Sequence, residues 1–132
     1  MGSFNDYTED KVLDHITGKT SFTMPTAYIG LSTASPTDDA SGLAEPSGGG
    51  YARVATTGAT WDASSGGATA NAAAITFPET SGSWGTVTHF FLADAASAGN
   101  MLAWGTLDAS RDLSASGITP RFAIGALDIT LD

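Results

Sequence analysis

The sequence predicts an all-β domain of the β-sandwich or jelly-roll type with one N-terminal α-helix. Short segments of alternating apolar and polar residues recur at spacings of roughly ten residues, and turns rich in glycine and serine separate them. Helical periodicity is confined to the N-terminus. A chain of 132 residues fits one domain. We therefore expect residues 1–132 to form a single β-sandwich unit.

The helix is predicted over residues 4–17, and Gly18 stands where a left-handed C-cap is favoured. Ser3 and Asp6 are spaced as an aspartate variant of the capping box. Further acidic residues follow in the first turns, where the helix dipole stabilises negative charge. The expected apolar stripe consists of Val12, Leu13 and Ile16. Residues 1–18 are therefore assigned to an N-terminal helical segment.

Strand periodicity begins after Pro25. Alternating or β-branched segments predict strands at 27–33, 51–57, 68–77, 86–94, 101–107 and 121–131. A short interval, 95–100, separates the fourth strand from the fifth, so these two are expected to pair antiparallel. Residues 34–50 contain successive turn-forming pairs and little apolar content, which predicts a long loop. Loops of this length inside a compact domain usually serve a function or an interface.

The charge and composition exclude several classes of protein. Five lysines and arginines against fourteen acidic residues give a formal charge of −9, which repels nucleic-acid phosphates and anionic lipids. No stretch approaches the roughly 20 apolar residues of a membrane span, and no export signal is recognisable. The chain is therefore expected to be made in the cytoplasm. The absence of cysteine excludes disulfides and thiolate metal sites, and nothing implies a cofactor.

Residues capable of catalysis do not form a recognisable motif, and we expect no enzyme. The only imidazoles are those of His15 and His89, and the latter is interpreted as a structural residue of a strand. The glycines at 48–50 lack the following lysine of a phosphate-binding loop. Carboxylates that could serve catalysis or calcium binding are scattered or lie in turns, namely Asp38, Asp39, Glu45, Asp62, Glu79 and Asp94.

Two tryptophans leave alternatives open. An exposed aromatic ring can stack on the apolar face of a sugar, whereas a buried ring packs in the core. Trp104 lies in an alternating strand, which favours the core. Trp84 follows the turn-like Ser-Gly-Ser at 81–83, so a glycan contact and a core position are both open for it.

Ordered blocks at 2–4, 7–9, 13–15, 30–34, 45–54, 82–90, 94–97, 102–105 and 127–132 carry a resemblance over nearly the whole chain. They include Glu-Pro-Ser-Gly-Gly-Gly-Tyr-Ala-Arg-Val at 45–54 and Gly-Ser-Trp-Gly-Thr-Val-Thr-His-Phe at 82–90. Together they resemble a family of small bacteriophage virion proteins that are labelled tail-fibre-like or capsid cement proteins. The resemblance implies a β-sandwich that forms a homotrimer on the outer capsid surface and clamps neighbouring copies of the major capsid protein.

A related sandwich is found at the tips of tail fibres and tailspikes, so the alternative is a host-recognition module that binds surface glycans. The sequence has no heptad stretch and no triple-β-helix repeat, which favours the cement protein. Contacts to the trimer partner or the capsid are assigned to the helix and the long loop, at Phe4, Tyr7, Val12, Leu13, Ile16, Pro46 and Tyr51. Under the alternative, Trp84 would contact the glycan.

Overall fold

The computed structural model describes residues 2–131 and confirms an all-β fold with one N-terminal helix. Its elements are β1 (Gly2–Phe4), α1 (Asp6–Ile16), β2 (Tyr28–Ser32), β3 (Val54–Ala55), a 3-10 turn (Gly58–Thr60), β4 (Ala68–Ala70), β5 (Ile75–Thr76), β6 (Thr86–Ala93), β7 (Met101–Asp112), β8 (Arg121–Phe122) and β9 (Asp128–Thr130). The strands predicted at 27–33 and 86–94 are confirmed, whereas the one predicted at 51–57 is reduced to β3.

Seven strands form one sheet in the order β3-β2-β6-β7-β1-β9-β4, and β5 pairs with β8 in a second, two-stranded sheet. All pairings are antiparallel except that of β1 with β9. The small sheet covers one face of the large one, where the ring of Phe122 lies 6.0 Å from that of Phe90 and 6.2 Å from that of Phe77. The main core lies between the two sheets.

The beginning of the helix differs from the prediction. The N-cap is Asn5, whose side-chain oxygen accepts the backbone N–H of Thr8, and the predicted cap at Ser3 is wrong. Ser3 instead lies in β1, because residues 2–4 fill the gap between β7 and β9 in the large sheet. The end is as predicted: Gly18 is left-handed, and the N–H of Lys19 bonds to the carbonyl of Asp14.

Two predicted strands are each divided in two at one corner of the sandwich. Residues 68–77 form β4 in the large sheet and β5 in the small one, and residues 121–131 form β8 in the small sheet and β9 in the large one. Both changes of sheet occur beside Asn71, which is fully buried. Its side-chain oxygen accepts the N–H of Leu127, and its amide donates to the carbonyls of Ala73 and Ala123, all at 2.9 Å.

The predicted hairpin of β6 and β7 is confirmed, but β7 extends five residues beyond the predicted end at Leu107. The ladder is irregular in this extension. His89 pairs with Thr106, and the next pair in the ladder is Val87 with Arg111. Four residues of β7, 107–110, therefore lie opposite one residue of β6, Thr88. Such a bulge bends a strand away from its partner. Beyond the bulge, β7 pairs with β6 again, at Thr86 with Asp112 and at Val87 with Arg111.

The corner predicts a large effect of one isosteric substitution. Asn71→Leu should lower the free energy of unfolding by about 3 kcal/mol, because it leaves the buried N–H of Leu127 without an acceptor and removes one hydrogen bond from each of the carbonyls of Ala73 and Ala123. Chemical denaturation measures this change. The matched control, Asn100→Ala at an exposed asparagine, should cost less than about 1 kcal/mol. Equal losses for the two variants would contradict the role assigned to Asn71.

Candidate functional site

One face of α1 is exposed along its whole length. Asp6, Glu9, Leu13 and Ile16 follow at intervals of three or four residues and so share one face of the helix. All four are exposed, with Leu13 at 60% and Ile16 at 73%. We call these four residues the outer stripe. It is acidic toward the N-terminus of the helix and apolar toward its C-terminus, which is typical of a surface that binds another protein.

The opposite face holds the helix to the sheet. The hydroxyl of Thr8 donates to the carbonyl of Leu102 at 2.7 Å, and Tyr7 packs against the main core. Phe4 also packs against that core from β1, and Val12 is half-buried. Among the helix and β1 residues predicted to make contacts, only Leu13 and Ile16 are thus exposed. Deleting residues 2–17 would remove β1 as well, so point substitutions are needed to test the helix.

An ion pair within the chain lies beside Pro46 and Tyr51, the two residues in or next to the long loop that were predicted to make contacts. The side chain of Arg53 is 4% exposed and forms two hydrogen bonds with the carboxylate of Glu45. Its Nε donates to Oε2 at 2.8 Å, and a second nitrogen donates to Oε1 at 2.9 Å. Its third nitrogen donates to the carbonyls of Ala95 and Ala98. The hydrogen bonds to Glu45 raise the pKa of Arg53. One guanidinium thereby fixes the long loop to the β6–β7 turn.

Tyr51 belongs to the same cluster. Its hydroxyl donates to Glu45 at 2.7 Å and accepts the backbone N–H of Leu31 at 3.0 Å. Burial raises the pKa of the Tyr51 phenol far above its usual value. The polar end of Tyr51 is therefore engaged inside the chain, while the neighbouring Pro46 is half-buried.

The two tryptophans have different positions. Trp84 is 3% exposed, its indole N–H donates to the carbonyl of Gly49 at 2.7 Å, and its ring meets that of Tyr51 edge to face. Glycine is favoured at position 49, because its φ is +58° and a Cβ atom would lie 2.9 Å from the backbone of Gly82 and 3.0 Å from the indole. Of the two positions that the sequence left open for Trp84, the structure shows the core position, and the indole offers no exposed face on which a glycan could stack. Trp104 is half-buried and donates to Asp38 at 3.1 Å.

The histidines and turn carboxylates take part in local structure. Nδ1 of His15 accepts the backbone N–H of Phe22, and Nδ1 of His89 lies 2.7 Å from the hydroxyl of Thr88. Burial lowers the pKa of His89.

Hydrogen bonds from Thr37 and Ser41 lower the pKa of Asp39 to about 2. Across residues 2–131, no group of three or more histidines and carboxylates is placed to hold a metal ion.

A cavity of about 410 Å³ lies at one end of the sandwich, between the bulged half of β7 and β8. Its walls are mainly apolar and include Phe77, Val87, Phe90, Leu113 and Phe122. Exposed residues surround its opening, namely Thr106, Asp108, Arg111, Thr119 and Arg121. We call this cavity the end cleft.

The sequence analysis missed the end cleft, because its walls come from segments that are distant in sequence. The positions of the few cationic residues in the sequence were the one signal that could have indicated it. The chain has only five lysines and arginines, and two of them, Arg111 and Arg121, flank the segment that leads into β8. Within the described residues, neither of these guanidinium groups has an ion pair or a hydrogen bond.

The ion pair predicts a stability difference between two cationic positions. Arg53→Met should lower the free energy of unfolding by about 2 kcal/mol, because Glu45 loses its cation and keeps only the Tyr51 hydroxyl as a donor, and two carbonyls lose the guanidinium. Lys19→Met, at an exposed lysine, should change it by less than about 0.5 kcal/mol. Thermal and urea unfolding of both variants provide the comparison. An Arg53→Met variant as stable as the Lys19→Met control would show that the loop does not depend on this pair.

Comparison with known proteins identifies the family. A family model described as podophage GP4 fiber I protein gp80 matches residues 3–130, which span both sheets and the helix. No curated protein matches the chain. Within residues 2–131, no helix is long and apolar enough to cross a membrane. The match confirms the resemblance to small phage virion proteins with a tail-fibre-like label, and so indicates a structural protein of the virion. The chain belongs to the podophage GP4 fiber I protein gp80 family.

Proposed function

We propose that the chain is a structural module of a phage fibre that acts through protein–protein contacts, in several copies and without catalysis. The observation that carries the proposal is the family match over residues 3–130, whose description names a fibre protein. The exposed outer stripe supports it, since Leu13 and Ile16 present apolar surface that the chain itself does not cover. The described histidines support the absence of catalysis, because both make local structural contacts.

The second candidate is a capsid cement protein, which would bind the major capsid protein as a homotrimer on the outer capsid surface. The compact sandwich favours it, because residues 2–131 contain one pair of packed sheets and no fibrous repeat. A formal charge of −9 suits a surface that faces water. Modest contacts repeated around a symmetric shell would bind by avidity.

Recognition of a host glycan is compatible with the fibre proposal, but it cannot use Trp84 as a stacking platform, because that ring is buried. A glycan site would have to lie elsewhere on the surface. The proposal therefore rests on assembly contacts and not on sugar binding.

Immunogold labelling of purified virions tests the location. Antibodies against the recombinant protein should label the tail fibres, and adsorbing the antibodies with that protein beforehand should remove the label. Labelling spread over the head would replace the fibre proposal by the cement candidate. Intact virions that contain none of the protein by mass spectrometry would overturn both.

A further inference from the structure

We propose that the outer stripe of one copy docks into the end cleft of a second copy, so that the chain assembles head to tail. The inference rests on the proposed function in one respect, namely that the chain acts in several copies. It goes further by naming the two surfaces and the partner. The partner is another molecule of the same chain.

The end cleft has the composition of a protein-binding site. Its floor is aromatic and aliphatic, with Phe77, Phe90 and Phe122 among its walls, and its volume of about 410 Å³ is large enough for several aliphatic side chains. Arg111 and Arg121 are exposed at its opening, together with Asp108. An occupant should therefore combine apolar side chains with nearby negative charge.

The outer stripe offers that combination. Leu13 and Ile16 are one helical turn apart and exposed, and Asp6 and Glu9 lie on the same face toward the N-terminus. The residues that line the end cleft belong to β2, β6, β7 and β8 and to connecting segments, and none belongs to α1. The stripe of one molecule therefore does not fill the cleft of the same molecule.

Charge selects a head-to-tail contact over a symmetric one. Two stripes placed face to face would set Asp6 and Glu9 either against the same carboxylates or against the apolar end of the other stripe, with no stripe cation to meet them, and two clefts would oppose their guanidinium groups. A stripe placed in a cleft pairs carboxylates with guanidinium groups. Because the chain carries a charge of −9, copies repel each other unless opposite charges meet locally.

Head-to-tail contacts have a geometric consequence. A heterologous contact forms a closed ring when its rotation returns to the first copy and an open filament when it does not. A ring of three copies would give the homotrimer that the resemblance to small virion proteins implies. Each copy then uses both surfaces once.

Two double variants of the full chain separate the surfaces. Leu13→Ser with Ile16→Ser disables the stripe, and Arg111→Glu with Arg121→Glu disables the cleft opening. All four side chains are exposed, so both variants should fold, which circular dichroism checks. In sedimentation velocity the unmodified chain should be oligomeric. Each variant alone should be monomeric, with a dissociation constant for self-association raised at least about 100-fold by loss of two buried aliphatic side chains or of both cations.

Mixing the two variants gives the decisive result. The stripe variant retains a working cleft, and the cleft variant retains a working stripe, so an equimolar mixture should form heterodimers and nothing larger. Two controls should remain oligomeric like the unmodified chain: Leu131→Ser, at an exposed leucine outside both surfaces, and Arg111→Lys with Arg121→Lys, which keeps the charge.

Three outcomes would overturn the inference. They are an unmodified chain that is monomeric at every concentration, variants that remain oligomeric, and a mixture that stays monomeric. If the cleft instead binds an acidic glycan or another virion protein, the cleft variant would lose that binding while self-association stayed the same. A failure of this kind leaves the proposed function intact if the chain is still found on tail fibres.

Discussion

A buried amide at Asn71 holds the corner where the chain passes twice between its two sheets. Its three hydrogen bonds join backbone groups from both passages, and without them the buried N–H of Leu127 would carry the full cost of desolvation. The chain has no cysteine with which to cross-link the sheets. The amide therefore fixes the position of β5 and β8 over the large sheet, and the core between the sheets depends on that position.

The size of the small sheet determines what remains open. The small sheet has two strands of two residues each, whereas the large sheet has seven strands. Part of the apolar face of the large sheet therefore extends beyond the small sheet. At the same end, residues 107–110 of β7 form a bulge and are left out of the ladder with β6. The end cleft follows from these two features. At the other side, Arg53 ties the long loop and the β6–β7 turn together, so that region is closed.

Sequence patterns predicted the elements whose stability is mostly local. The helix has its own cap and dipole signals, and β6 with β7 alternate over enough residues to be recognised. The beginning of the helix was missed because Ser3 satisfies the cap pattern but pairs with distant strands. The breaks at Asn71 and before β9 were missed because the apolar pattern continues through a change of sheet. The burial of Trp84 depends on Gly49, a contact across 35 residues that no local pattern encodes.

Helical periodicity predicted Leu13 and Ile16 of the outer stripe, together with the half-buried Val12, whereas no pattern predicted the end cleft, and this difference has a physical cause. A helix face is defined by residues close in sequence, but a cleft between two sheets is defined by how far one sheet covers the other. The two surfaces nevertheless share one origin. With few large apolar residues, the chain covers its core only where the small sheet reaches, and it leaves Leu13 and Ile16 outside. Association of copies would bury both apolar surfaces. The arginines at the opening of the end cleft favour a contact between the cleft of one copy and the acidic outer stripe of another.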